Sequence, residues 1–288
     1  YEALAGVSTG DNNVAVGYTA GKSITTGELN VFVGPNAGAN STVSQRAVGI
    51  GFEALNRYGL TSVGTGAPVA IGFEAGRFAT GSANVFVGYE AGKGGTQSGG
   101  LTSGNNNVAV GYTALTAFTT GHSNVAMGYA AADAMTTGQQ NVAIGHNALG
   151  KDTIGHTSVA IGYSAGSQQV FGSSGATNNT LVGSNAGFWN VTGTGNTYIG
   201  SNVGTGASGN SNNNNTAVGV SALLAITTGQ QNVIMGQSAG QNITTGEQNI
   251  LIGASADVSS NAASNRIGIG YNVVVGTDNT TVIGGAGQ

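Results

Sequence analysis

One phrase governs what this chain can fold into: a β-branched residue, any residue, an aliphatic residue and a glycine. It occurs sixteen times, ending at Gly17, Gly34, Gly51, Gly72, Gly88, Gly111, Gly128, Gly145, Gly162, Gly183, Gly200, Gly219, Gly236, Gly253, Gly270 and Gly284. Most intervals are 17 residues, with occasional insertions. A short fixed period marks a solenoid, in which each repeat buries its apolar face only when neighbours stack on it. The expectation is one repetitive all-β domain over residues 1–288, a parallel β-roll or β-solenoid of about sixteen 17-residue coils.

Counting from that glycine as position 0, position −3 is Val, Ile or Thr in every copy and position −1 is Val, Ile or Met. Apolar side chains two residues apart share one face of a strand, so each repeat contributes a short strand whose −3 and −1 positions are expected to face the coil interior. Position −4 is Asn in eleven copies: Asn13, Asn30, Asn84, Asn107, Asn124, Asn141, Asn179, Asn196, Asn215, Asn232 and Asn249. Asn suits a corner, because its amide bonds nearby backbone, and stacked coils would align these amides in a ladder. Position +3 is Ala in thirteen copies, as expected of a thin cross-section. Five copies carry an apolar residue and then Thr-Thr-Gly at +8 to +10, as at 24–27, 118–121 and 243–246. This reads as a second short strand, with the +10 glycine supplying a φ > 0 corner.

Position −2 lies on the opposite face from −3 and −1 and is apolar or glycine throughout. A strand apolar on both faces is buried on both, and one thin coil covers only one of them. The −2 column (Ala15, Phe32, Ala70, Phe86, Ala109, Ala126, Ala143, Ala160, Leu181, Tyr198, Ala217, Ile234 and Leu251) is therefore the expected seam of a closed ring of like chains. On that assignment Ala143→Asp splits the assembly and Val142→Asp unfolds the coil. Sixteen stacked strands at about 4.8 Å each would make a rod about 75 Å long.

Composition narrows the alternatives. Glycine supplies 53 of 288 residues without falling at every third position, and there are two prolines, which excludes collagen. With 7 Lys and Arg, 11 Asp and Glu, and 39% apolar residues, the chain is not of the disordered class. A net charge of −4 offers nucleic acid no basic footprint. No apolar run approaches the roughly 18 residues of a membrane-spanning helix, so no membrane insertion is expected. The lack of Cys removes disulfides, thiolate metal ligands and Cys nucleophiles. Tyr1 is not an initiator methionine, and the chain reads as a processed product or a fragment.

The phrases Asn-Val-Ala-Val-Gly-Tyr-Thr-Ala at 13–20 and Asn-Val-Ala-Ile-Gly-His-Asn-Ala at 141–148 resemble the head repeats of trimeric autotransporter adhesins. The Thr-Thr-Gly-x-x-Asn-Val phrasing is similar to the shaft repeats that precede an intramolecular chaperone in phage tail fibres and bacterial fibre proteins. The resemblance covers nearly the whole chain. It implies a left-handed parallel β-roll assembled as a homotrimer, extracellular on a virion or cell surface, whose task is reach and attachment to a cell-surface glycan or receptor.

Motifs that spell chemistry are mostly repeat columns. Gly162-Tyr163-Ser164-Ala165-Gly166 and Gly236-Gln237-Ser238-Ala239-Gly240 have the G-x-S-x-G spacing, but no helix-forming stretch follows to make a nucleophile elbow. Gly17 to Ser23 falls one residue short of a phosphate-binding loop. Glu53, Glu74 and Glu90 share column +2, and Arg57, Arg77 and Lys93 follow in the same coils, so an ion-pair ladder is expected, with a bound cation as the sharper alternative. His122, His146 and His156 fall in different columns without metal-ligand spacing. Column +1 is aromatic in eight copies, among them Tyr18, Tyr89, Tyr112, Tyr129 and Tyr163, which form either inward packing or a recognition surface of exposed rings. The longest insertion, Gly94 to Asn106, is a candidate receptor-contact loop.

These readings point to a non-enzymatic structural and attachment protein with no catalytic residues, metal or cofactor. Its main partner is itself, as a homotrimer and, through open strand edges at the chain ends, as an end-to-end filament. Two alternatives stand beside it: an ice-binding or other flat-face binding solenoid, and a glycan-degrading tail spike, which would need paired carboxylates about 5 to 10 Å apart.

Overall fold

The computed structural model describes residues 2–59, 66–95, 102–171 and 175–284, and among these there is no helix. They group into two compact units, Tyr1–Asn141 and Val142–Gln288, each a parallel β-solenoid, with about fifteen turns between them. The first unit contributes β1 (Val14–Val16), β2 (Val31–Val33), β3 (Val48–Ile50), β4 (Val69–Ile71), β5 (Val85–Val87), β6 (Val108–Val110) and β7 (Val125–Met127). The main sheet of the second consists of β8 (Val142–Ile144), β10 (Val159–Ile161), β12 (Thr180–Val182), β13 (Thr197–Ile199), β14 (Thr216–Val218), β15 (Val233–Met235), β16 (Ile250–Ile252), β18 (Ile267–Ile269) and β20 (Thr281–Ile283). Two small parallel pairs complete it: β9 (Gly155–His156) with β11 (Gly175–Ala176), and β17 (Asp257–Val258) with β19 (Val274–Val275).

Register follows the repeat columns rather than residue count. Val14 pairs with Val31 across 17 residues, but Val48 still pairs with Val69 and Val85 with Val108, so each insertion is accommodated outside the strand.

The strands are apolar on both faces, as expected, but the faces are the reverse of the expected ones. The middle residue of each strand, position −2, points into the chain's own interior: Phe32, Ala70, Phe86, Ala109, Ala126, Ala143, Ala160, Leu181, Tyr198, Ala217, Ile234 and Leu251 are all buried within the single chain, and Ala15 in the terminal coil is half-buried. This column is therefore core and forms no seam. Positions −3 and −1 point outward, half-buried or exposed, as with Val16 at 59% exposure. The physical reason is room. The inward residue must fit whatever lies across a narrow coil and so varies from Gly to Tyr, whereas Val and Ile recur outside because they favour a pleated strand on either face.

Opposite −2, the interior is filled by the +3 alanines, by Leu or Gly at +4, and by Ile24, Tyr58, Phe118, Met135, Ile226 and Ile243 at +7, all fully buried. Between strand and +7 the backbone alternates its hydrogen bonds. Lys22 N–H turns back to the Thr19 carbonyl at 3.2 Å, and the neighbouring Gly21 N–H reaches the Ala37 carbonyl of the next coil at 2.8 Å. That alternation requires left-handed residues at +2, where φ lies between 49° and 57° from Thr19 to Asn272. The column is correspondingly rich in Asn and Ser, which tolerate this conformation or bond locally within it.

The position 0 glycines answer two demands. Their φ lies between 128° and 142°, and a Cβ on Gly72 would stand 2.2 Å from the Gly88 carbonyl oxygen above it. The +10 glycines differ from expectation. Gly27, Gly121, Gly138, Gly229 and Gly246 do not have positive φ; a Cβ on Gly27 would lie 2.4 Å from the Ser44 carbonyl oxygen, so close stacking of coils selects them. The left-handed corner comes two residues later, at Leu29, Ser123, Gln140, Gln231 and Gln248. The expected second strand shrinks to isolated bridges, such as Glu28 with Gln45 and Glu247 with Ser264.

Candidate functional site

The eleven −4 amides form ladders within the two units, buried except at Asn13, which is half-buried, and interrupted where Ala47, Pro68 and Ser158 stand at −4. Asn124 shows the pattern in full. Its Nδ2 donates to Asn107 Oδ1 at 3.1 Å and to the Gly138 carbonyl at 2.8 Å, while its Oδ1 accepts from Asn141 N at 3.0 Å and Asn141 Nδ2 at 3.2 Å. All four capacities of the side chain are met, which a buried amide needs. Asn196, Asn215, Asn232 and Asn249 repeat the arrangement. The ladder ends at Arg266, whose N–H takes Asn249 Oδ1 and whose guanidinium binds Asp278 at 2.7 Å.

The outward face of each sheet is an exposed apolar surface. In the first unit, columns −3 and −1 place Val, Ile and Met side by side from Val14 to Met127, flanked by the column +1 rings. Tyr18, Tyr89, Tyr112, Tyr129 and Tyr163 are exposed, so this column does not pack inward. The rings stack on one another: Phe52 on Phe73 at 5.2 Å, Phe73 on Tyr89 at 5.0 Å, Tyr89 on Tyr112 at 4.9 Å and Tyr112 on Tyr129 at 5.2 Å, with interplanar angles of 13° or less. In the second unit His146 stacks on Tyr163 at 5.1 Å. Rings with both faces covered by neighbours present only their edges, so internal members such as Tyr89 and Tyr112 cannot lie flat against a sugar.

The carboxylates of column +2 are clamped. Arg77 Nε lies 2.6 Å from Glu53 and its Nη1 2.8 Å from Glu74, while Lys93 bridges Glu74 at 2.5 Å and Glu90 at 3.0 Å. Each cation thus joins its own coil to the one before. Burial pulls the Glu74 carboxyl up, but hydrogen bonds from Lys93 and Arg77 outweigh it and hold it below the usual range. Among the described residues Arg57 pairs with no carboxylate; its guanidinium lies 5.2 Å from the centre of the Phe78 ring.

No other motif gathers chemistry. Ser164 is buried and left-handed at φ 52°, and Ser238 repeats that conformation at 54°, as position +2 requires. His122 Nδ1 meets Ser123 Oγ at 3.3 Å, and no group of three or more His, Asp or Glu side chains among the described residues is placed to hold a metal ion. Of the Gly94–Asn106 insertion, residues 96–101 lie outside the described residues. Thr102 already belongs to the stack, bridging Ala79, and Asn105 Oδ1 accepts from Ser82 N at 2.6 Å.

Sequence reasoning missed a polar core in the second unit. Column +7 changes from apolar to Asp152, Gln169 and Asn190 in three successive coils, all fully buried. Asp152 accepts from Gly155 N at 2.9 Å and Gln169 Nε2 at 3.3 Å, and Gln169 Oε1 accepts from Asn179 Nδ2 at 3.3 Å. Burial pushes the Asp152 carboxyl up to about 6. The run of three carboxylate or amide side chains, in a column that elsewhere carries apolar residues, Gly, Ser or Thr, was the available signal. Set against known proteins, the sequence matches no family model and no curated relative.

Proposed function

We propose that the chain is a non-enzymatic fibre segment that assembles as a homotrimer through the outward faces of its sheets and serves extracellular reach and attachment. The observation that carries this reading is the outward Val, Ile and Met of columns −3 and −1 in the first unit, stacked coil on coil from Val14 to Met127 and half-buried or exposed, an apolar stripe of the kind that marks an interaction face. Three copies set around an axis would cover it, which moves the expected seam from −2 to the adjoining columns. The resemblance to phage tail-fibre shafts and adhesin heads supports the same arrangement on a virion or cell surface, with end-to-end stacking as a further mode. Against the tail-spike reading, the stacked carboxylates of column +2 are neutralised by Arg77 and Lys93, and Glu74 is held ionised where a general acid would need a raised pKa.

The test is the mass of the native particle by sedimentation. Three chains per particle support the proposal, and a monomer at micromolar concentration overturns it. One observation favours the flat-face alternative: Thr180, Thr197 and Thr216 lie in register on the outward column of β12, β13 and β14. A monomer that depresses the freezing point below its melting point would establish that reading. The protruding rings of column +1 weigh against it.

A further inference from the structure

Column +5 reads Lys22, Ala39, Asn56 and Arg77 in four successive coils. Three long polar side chains flank one methyl group, and the missing bulk opens a notch of about 400 Å³ above Ala39. One wall is column +2, with Thr19, Asn36 and Glu53; the other is column +6, with Ser23, Asn40 and Arg57. The notch lies wholly within the first unit.

Its charge is unusual for this chain. Lys22, Arg57 and Arg77 are three of only seven basic residues, and they converge on one opening. Two are already engaged: Lys22 holds Glu2 at 2.5 Å, and Arg77 binds Glu53 and Glu74. Arg57 lies 5.2 Å from the centre of the Phe78 ring, which also carries Arg77 at 4.9 Å, and among the described residues the Arg57 guanidinium has no carboxylate or hydrogen-bond acceptor. The amides beside it are positioned by one another. Asn40 Nδ2 donates to Asn56 Oδ1 at 2.6 Å, and Asn56 Nδ2 donates to the Asn36 carbonyl at 3.0 Å. Among the described residues that leaves Asn40 Oδ1 as a free acceptor, and Asn36, whose Oδ1 takes the Thr19 hydroxyl, keeps a free Nδ2 donor.

The geometry points to a binding site for a carboxylated sugar in this notch, with the carboxylate on the Arg57 fork and ring hydroxyls on Asn36 and Asn40. A planar guanidinium matches a carboxylate in bidentate fashion, and neutral amides with spare donors and acceptors match hydroxyls. The volume suits one or two sugar rings. This deepens the attachment reading by naming a ligand class, yet the site lies within one chain and its test is independent of trimerisation.

The experiment is ligand-observed NMR of the whole protein with tri-galacturonic acid and with sialyllactose, each beside its neutral counterpart, the methyl-esterified trimer and lactose. At least one acidic sugar is expected to bind, its neutral counterpart at least tenfold more weakly. Arg57→Met keeps the stem over Phe78 but removes the charge, and Ala39→Gln refills the notch; each should weaken binding at least tenfold. Lys151→Met, which removes an exposed cation in the second unit, should leave it unchanged. Thermal unfolding of each variant checks folding, and Ala39→Gln keeps the test valid if Arg57→Met is unstable. The proposal is overturned if no acidic sugar binds at millimolar concentration, if the neutral forms bind equally, if inorganic phosphate competes as well as the acidic sugar, or if Lys151→Met weakens binding as much as the notch variants.

Discussion

The Phe86 ring occupies the space that a side chain on Gly92 would need: a Cβ at Gly92 would stand 2.1 Å from Phe86 Cδ1. Both residues belong to the same coil, at −2 and +4. Gly92→Ala is expected to destabilise the first unit by several kcal/mol, since overpacking adds to about 1–2 kcal/mol for a left-handed alanine. Phe86→Ala alone should cost about 3–5 kcal/mol through the cavity it leaves. The double variant should cost clearly less than the two singles together, because the alanine methyl enters vacated space. Urea unfolding of all four proteins measures this, and strict additivity would show that the ring does not exclude the methyl.

The same pair shows what the sequence could reveal. Repeat period, parallel all-β class, strand positions and the Asn ladder are legible because each depends on a column that hardly varies. The facing of the strand was not, because Val-x-Val-Gly is apolar on both sides and a period of two does not say which side is inside. The information lay in reciprocal size. Phe32, Phe86 and Tyr198 at −2 accompany Gly38, Gly92 and Gly204 at +4, whereas Gly49, Ala109, Ala143 and Ala217 accompany Leu55, Leu115, Leu149 and Leu223. Two columns that trade volume must meet across a core. The notch at Ala39 was invisible for a different reason: it depends on side chains from four coils, and +5 has no constant residue to draw attention.

Reversal of the faces reverses two mutational outcomes. Ala143→Asp places an unpaired charge in the coil interior and should unfold the second unit locally, at a cost of several kcal/mol. Ile144→Asp, one residue on and facing outward, should leave the coil folded and dissociate the proposed trimer. Circular dichroism and sedimentation of the two variants separate fold from assembly. An Ile144→Asp protein that keeps wild-type mass would remove the outward face as the seam.

The amide ladder should be costly to interrupt. Asn124→Ala removes the side-chain donor to the Gly138 carbonyl and the Oδ1 that accepts from both Asn141 N and Asn141 Nδ2, while Asn107 Oδ1 keeps only the backbone N–H of residue 124, so a loss of about 2–4 kcal/mol is expected from several unmet buried groups. Asn13→Ala, at the half-buried end of a separate, shorter ladder made with Asn30, should cost less than half as much. Equal losses at both positions, measured by urea unfolding, would mean that the stacked amides act singly rather than as a ladder.

Asp152 makes stability depend on pH in the direction opposite to most carboxylates. Burial raises its pKa from 3.8 to about 6, so the folded chain holds a proton that the unfolded chain releases across that interval. Its contribution is therefore most favourable below about pH 4, declines as pH rises through 6 and is constant above. Asp133 and Asp257 are also raised by burial and act in the same direction. Glu74 and Asp278, whose pKa values are lowered, act in the opposite direction and lose their contribution as pH falls below their ordinary values of 4.5 and 3.8. Thermal unfolding of the second unit should accordingly shift to lower temperature between pH 4.5 and 7, by an amount corresponding to at most about 3 kcal/mol at 1.36 kcal/mol per unit. Asp152→Asn, whose amide oxygen can retain the Gly155 hydrogen bond, should flatten most of that slope and raise stability at pH 7 relative to wild type. A variant with the full wild-type slope would assign the pH dependence to groups other than the buried carboxyl at 152.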